Sequence, residues 1–348
     1  MCQKVKVIHI ESGLGNQMLS YAEYLVMKKL NPKDDCFIET IIYELPECNN
    51  VICQWFGYEL ERIFGLRTPN IKELFKETEW DQIVNEIRST EFWNNGWRYA
   101  PAIVNVLNHH GLHLKNIHGD EAKYLELKES FIARFKENRL MYDLKRVARP
   151  LYQRSYRRKM DTSSKIFIKS KDDIFAGQML GLRNYGVNID FVKEEILKSF
   201  IFPSIYDKKN LDVLAIIRKT ESVAIHARRG DMLQSNGYCY KYGYFNRAVK
   251  YIKKRISNPV FFFFCDTDSI EWCKNNNDVF NLDFKKDHII FVDWNTGLDY
   301  YRDMQLMGEC KHNIITNSSF GWWGTFFNNN PQKITISPNV WNNTNVQL

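Results

Sequence analysis

The chain has 348 residues, 44% hydrophobic and 26% charged, a balance that fits a folded globular protein and excludes a disordered or membrane-spanning one. That length suits two ordinary domains with a sizeable core, so disulfides are not needed for stability. The net charge of +7 favours anionic partners without separating nucleotides from nucleic acid or an acidic membrane surface.

In chain order, the apolar run Val5 to Ile10 predicts a strand. It starts almost at the N-terminus, so no secretory leader is expected. A Gly13-Leu14-Gly15 turn leads into a predicted helix over Gln17 to Leu30, where Met18, Ala22, Leu25 and Val26 recur at helical spacing and Asn31-Pro32 closes the segment. The turn does not fit the dinucleotide fingerprint or the P-loop. Gly13 and Gly15 nevertheless let backbone approach a ligand, and Asn16 and Gln17 offer amides.

Residues 53–165 are less regular, with Trp55, Trp80, Trp93 and Trp97 among short helical patterns. Glu121 to Arg146 has helical composition. It runs into a basic stretch, 145–171, that reads as a solvated face or as a peripheral membrane or partner contact. The longest apolar run, Val260 to Cys265, is far too short to span a bilayer.

From about residue 211 the rhythm is cleaner. Predicted strands at 222–227, 260–265, 288–292, 313–316 and 333–336 alternate with predicted helices at 211–218, 244–255, 300–310 and 320–328. Such alternation implies a parallel sheet with helices on both faces. The domain boundary is expected near 200–210, around Pro203. The eight cysteines form no Cys-x-x-Cys pair, which argues against zinc-ribbon and thioredoxin readings. Free thiols in a reducing compartment, hence the cytoplasm, are expected.

Three strand ends carry the chemistry. His226-Ala227-Arg228-Arg229-Gly230-Asp231 follows the strand of 222–227. Alternation along a strand directs Ala224, His226 and Arg228 one way and turns Arg229 aside. Arg228 is therefore the candidate phosphate grip, and Arg229 the candidate for a structural bridge to Asp231. Asp266-Thr267-Asp268 follows the next strand and could hold a divalent cation or accept hydrogen bonds from guanine. Thr316-Asn317-Ser318-Ser319-Phe320-Gly321 joins a strand to a helix, where serines can cap and free N–H groups can bind an anion. Trp322 and Trp323 read as core.

Together these segments resemble the α-1,2-fucosyltransferases of glycosyltransferase family eleven. The resemblance lies in Gly13 to Met18, His226 to Asp231, Val292-Asp293-Trp294-Asn295, Asp303 to Met307, Cys310 to Asn313 and Asn317 to Gly324, in the family's order. It is dense over 211–342, covers 5–30 and is poor between. It implies an α/β, GT-B-like fold of two Rossmann-like domains facing a cleft. Residues 1–205 would form the acceptor-side domain, with a helical insertion around 53–165, and 206–348 the GDP-fucose-binding domain.

The resemblance also implies inverting, metal-independent transfer from GDP-β-L-fucose to the 2-hydroxyl of a terminal β-galactoside, in an O-antigen, capsule or similar glycan. By position, Arg228 would grip the β-phosphate, and His226 and Asp268 would meet guanine. Ser318, Ser319 and Phe320 would line the phosphates and sugar, and Asn16 would reach the reacting sugar. The family has consecutive aspartates where this chain reads Asp266-Thr267-Asp268, so either can be the guanine partner. Asp231 and Glu11 are the candidate bases, and with a good leaving group no strong base is required. The rival readings are a metal-dependent GT-A-type transferase using Asp266 and Asp268, and a non-catalytic binder of glycans or nucleic acid, although no nucleic-acid motif is present.

Overall fold

In a computed structural model of the chain, the described residues are 4–51, 56–116, 172–177, 189–230, 233–266 and 269–338. Two compact units result, Met1–Ile201 and Phe202–Leu348.

The first unit is built on a parallel sheet of order β2-β1-β4-β3, with β1 Val5–His9, β2 Asp35–Glu39, β3 Lys115–Asn116 and β4 Ile174–Gly177. Helix α1 (Leu14–Leu30) follows β1 directly and stops at Asn31, whose backbone N–H and side-chain amide both bond the Met27 carbonyl. After the short α2 (Leu60–Phe64) come α3 (Glu77–Ser89) and α4 (Tyr99–His109). The buried face of α3 is Trp80, Ile83, Val84 and Ile87, a helical apolar stripe. It packs with Ile103, Val104 and Leu107 of α4 and with Val7 and Phe175 of the sheet. Helices expected as an insertion thus supply a layer of this unit's core.

In the second unit, α5 (Lys193–Ser199) having ended just before it, α6 (Lys208–Lys219) leads into a parallel sheet of order β7-β6-β5-β8-β9. Its strands are β5 Glu221–Ala227, β6 Pro259–Cys265, β7 His288–Val292, β8 His312–Ile315 and β9 Thr335–Ile336. The helices are α7 (Leu233–Lys241), α8 (Tyr244–Lys253), α9 (Ile270–Asn275), α10 (Asn277–Phe280), α11 (Tyr301–Glu309) and α12 (Ser319–Phe327). The four consecutive phenylalanines of β6 are fully buried, as a parallel strand covered on both faces requires. Val223, Ile225 and Ala227 of β5 share a core with Phe245, Val249 and Ile252 of α8.

Strand order reverses between β5 and β8: β6 and β7 continue to one side, β8 and β9 to the other. Ligands of open α/β sheets bind beyond the carboxyl ends of strands at such a switch point. The first sheet has its own, between β1 and β4. No helix among the described residues is long and apolar enough to cross a membrane.

Candidate active site

The ends of β5 and β8 are tied together by Thr316. Its hydroxyl accepts from the Arg228 amide at 3.3 Å and lies 3.3 Å from the His226 carbonyl, to which it donates. His226 is 5% exposed and faces away from the α8 core, toward α12. A Cβ on Gly321 would stand 2.5 Å from its Nδ1, so only glycine lets the first turn of α12 come this close. The imidazole lies 5.8 Å from the Phe320 ring, which stacks on Tyr300 at 5.7 Å. Nδ1 is buried with no hydrogen-bond partner among the described residues. Burial, and then the Arg228 charge, lower the His226 pKa to about 4, against a weaker pull from Asp266. The ring is therefore neutral at pH 7.

The two arginines part company. Arg228 reaches toward the end of β6, where its Nη1 is 3.2 Å from Asp266 Oδ1. Arg229 lies back on the α7–α9 side, its guanidinium 3.5 Å from the Trp272 ring centroid and 5.3 Å from that of Tyr240. Its Nε and Nη1 are buried without hydrogen-bond partners among the described residues, where the ring faces supply the contact. The arginine–aspartate pair among the described residues is thus Arg228–Asp266, while Arg229 is held by aromatic rings. Asp231 and Asp268 lie outside the described residues, as does the basic stretch 145–171.

Asp266 does more than meet Arg228. Its Oδ2 accepts from the Arg229 amide at 3.2 Å and from Ser269 Oγ at 2.7 Å. Gly230 completes the turn: its amide is 3.4 Å from Ser269 Oγ, and a Cβ there would stand 2.9 Å from Asp266 Oδ2. Glycine is needed here for close approach rather than for an unusual φ. One carboxylate therefore sets the path of residues 228–230.

Ser318 occupies the N-cap position of α12 in an extended conformation, but its hydroxyl makes no capping bond. Of the two roles open to this segment, capping by Ser318 is not the one it plays. The positive end of the helix dipole therefore lies beside Arg228 and Phe320 without a serine cap, an arrangement suited to phosphate oxygens. Trp323 is fully buried, as core.

In the first unit, β1 ends in a buried charge cluster. His9 is fully buried between Glu39, bonded at Nδ1, and Glu11, whose Oε2 is 3.4 Å from Nε2. Tyr99 stacks on the imidazole at 4.3 Å, and Trp97 Nε1 is 3.4 Å from Glu11 Oε2. Burial alone would lower the His9 pKa; the charges of Glu39 and Glu11 outweigh it and raise it to about 9. Glu11 is 5% exposed. Gly177, at φ 127°, lets the end of β4 approach, since a Cβ would stand 2.7 Å from the His9 carbonyl oxygen.

Ser12 then takes a left-handed φ of 69°, and three side chains hold it. Gln17 Nε2 and Tyr43 Oη donate to its carbonyl, at 2.9 and 2.8 Å, and Asn16 Nδ2 donates to its hydroxyl at 3.0 Å. Gln17 also bonds Gly57 and Glu59, so it is a structural clamp. Gly13 is the N-cap of α1, with no side-chain cap, and Gly15 lies buried in its first turn.

Residues 182–347 match the family model described as Glycosyl transferase family 11. That match covers nearly all of the second unit. The chain is 41% identical over 133 residues to an alpha-1,2-colitosyltransferase of Escherichia coli, covering 36% of this chain and 43% of that protein. It is 28% identical over 109 residues to galactoside alpha-(1,2)-fucosyltransferase 1 of Saimiri sciureus, covering 30% of this chain and 28% of that protein. Less than half the length of either relative is therefore matched. A crystal structure of the fucosyltransferase NodZ from Bradyrhizobium is similar over 93% of this chain and 92% of that one, with TM-score 0.46 and 11% identity.

Several segments that resemble family 11 hold the second unit together. Trp294 Nε1 and Asn295 Nδ2 donate to Asn210 Oδ1 at 2.8 and 3.1 Å, and Asn295 Nδ2 also meets Asp303 at 2.8 Å. Asn313 donates to the Met307 carbonyl at 2.9 Å and accepts from Asn328 at 2.6 Å. The residues gathered at the second unit's switch point are His226, Arg228, Asp266, Thr316 and Phe320. Tyr300 and Trp272 had no local signal: each matters through a ring or cation distant in sequence, Phe320 for Tyr300 and Arg229 for Trp272.

Proposed function

We propose that this chain is an inverting fucosyltransferase that moves L-fucose from GDP-β-L-fucose to the 2-hydroxyl of a terminal β-galactoside. The observation that carries the reading is Arg228, held by Asp266 and Thr316 beside the uncapped start of α12, at the switch point of a family 11 unit.

The acceptor oxygen attacks the anomeric carbon opposite the phosphate, and the bond from that carbon to the phosphate oxygen breaks with its electron pair going to GDP. Negative charge grows on the leaving diphosphate. Arg228 and the first-turn amides of α12 meet that charge already oriented, the kind of preorganised electrostatics that dominates many catalysed transfers. Neutral His226 offers Nε2 to the guanine, Phe320 supplies an aromatic face, and Ser318 and Ser319 line the phosphates. From the first unit, Asn16, Gly13 and Gly15 are assigned to the reacting sugar. The acceptor proton leaves late, because GDP is a good leaving group; Glu11 and Asp231 are the carboxylates to test as its receiver.

No metal enters this mechanism. Asp266, which a metal-dependent GT-A enzyme would need as a ligand, has both oxygens bonded to protein donors. Of the two candidates for guanine, Asp268 is therefore the better one, with Asp266 positioning Arg228. A cytoplasmic enzyme with a peripheral contact through 145–171 completes the proposal; flotation with anionic vesicles, compared with a charge-neutralised 145–171 variant, tests that contact.

A second donor has a specific observation behind it, since the relative matched at 41% identity is a colitosyltransferase. The deciding experiment offers GDP-fucose and the colitosyl donor separately, with a panel of β-galactosides and with and without EDTA. The expected product is an α-1,2-linked fucosyl galactoside, formed equally in EDTA. Transfer of colitose alone reassigns the donor, and activity lost in EDTA and restored by Mn²⁺ overturns the metal-free mechanism.

A further inference from the structure

The geometry points to a zinc site in the helical layer of the first unit, formed by Glu86 of α3 with His109 and His110 at the end of α4. Glu86 Oε1 is 3.0 Å from His109 Nδ1, and Oε2 is 3.0 Å from His110 Nε2. The three ligand atoms all lie within 4.8 Å of one another. Ligands about 2.0–2.1 Å from a tetrahedral zinc stand roughly 3.3 Å apart. Each Glu86 oxygen thus stands near the bound separation from one imidazole nitrogen, and one atom from each residue lies close enough to the others for a shared ion.

The surroundings favour a cation over a plain pair of hydrogen bonds. Glu79 lies two turns before Glu86 on the same side of α3, with Oε1 3.7 Å from His110 Nδ1. A carboxylate at one imidazole nitrogen leaves the other as the ligand, the arrangement that orients metal-bound histidines. His109 is the last residue of α4 and His110 its C-cap, where the negative end of the helix dipole attracts positive charge. Two imidazoles and one carboxylate with no thiolate suit zinc better than the hard cations calcium and magnesium. Water would complete the coordination, since His109 is 75% exposed. The bound ion would clip α3 to α4, the helix whose Tyr99 stacks on His9. This is a structural role, separate from transfer chemistry.

The test uses the full chain after chelator treatment and dialysis. Zn²⁺ is titrated calorimetrically and its effect on thermal unfolding is followed, with Co²⁺ as a spectroscopic probe. The expected result is one saturable site, a higher unfolding temperature and tetrahedral Co²⁺ absorption bands without thiolate charge transfer. Glu86→Gln and His109→Ala, both at the surface, should each weaken Zn²⁺ binding at least tenfold while the zinc-free proteins unfold much as the parent does. Absence of saturable binding, or binding of equal strength in both variants, overturns the site.

Discussion

The Arg228 guanidinium sits 3.2 Å from Asp266 Oδ1, across the ends of β5 and β6. Both side chains are less than one-fifth exposed, so the pair is screened weakly and holds the guanidinium in one place. Replacing Arg228 with Ala should cost kcat/KM about 100- to 1000-fold in a protein that still folds. Asp266→Asn keeps the volume and removes the charge; misplacing the guanidinium should cost about 10- to 100-fold. Arg228→Lys should not rescue, because a point charge lacks the planar fork that meets phosphate. Fucosyl-transfer kinetics and GDP titration check the series, and near-normal turnover in Arg228→Ala would sink the assignment.

Gly321→Ala sets two effects against each other. Alanine is the better helix former by about 1 kcal/mol. The new methyl, however, would stand 2.5 Å from His226 Nδ1, and the imidazole, 5% exposed, has little room to retreat. Overpacking costs about 1–3 kcal/mol, so the variant should be less stable and bind GDP more weakly. A raised urea midpoint with unchanged GDP affinity would show that α12 does not need this close approach.

Arg229 should behave unlike its neighbour. Its guanidinium lies over Trp272, and such a contact, desolvated, is worth about 2 kcal/mol or more. Trp272→Leu removes the ring and leaves a buried charge. The expected outcome is a lower unfolding temperature with transfer per folded molecule close to that of the parent. A large loss of kcat at full stability would place Arg229 in the catalytic machinery.

The unlike directions of these two arginines follow the alternation of β5 carried just past its end at Ala227. The aromatic platform under Arg229 was not legible. Trp272 and Tyr240 come from α9 and α7, and nothing in their local pattern marks them as an arginine platform. The second half reads well because its central strands β5 and β6 carry apolar stretches buried on both faces, between helices of clear period. In the first half β2, with the sequence Asp-Cys-Phe-Ile-Glu, is short and mixed, and β4 has four residues. Their pairing with β1 depends on contacts no window captures. The same holds for His9, whose partner Glu39 is 30 positions away.

That histidine makes stability depend on pH. An ordinary histidine titrates at 6.5, whereas buried His9, between Glu39 and Glu11, holds its proton up to about 9. The folded state therefore binds the proton more tightly than the unfolded chain. This contribution is complete below about pH 6.5 and is lost as pH rises through about 9. Urea unfolding at pH 6, 7.5, 9 and 10 should show a falling midpoint, and His9→Gln should flatten that fall. A parent midpoint that is level from 7.5 to 10 would show that the proton is not held.

Glu11 can serve His9 or the acceptor hydroxyl, and a pH–rate profile separates the two. Its Oε2 already faces His9 Nε2 and Trp97 Nε1, each at 3.4 Å, and the residue is 5% exposed. Those contacts favour support of the β1 end. Glu11→Gln removes one of the two charges that keep His9 protonated, so stability at pH 7 should drop and its decline toward pH 10 should become shallower. A positioned general base typically contributes about 100- to 10,000-fold to rate, and removing it abolishes the acidic limb of the profile. For Glu11→Gln we expect a smaller loss of kcat with that limb intact, and Asp231→Asn is the parallel measurement. An acidic limb lost in Glu11→Gln, with GDP affinity unchanged, would instead name Glu11 as the base.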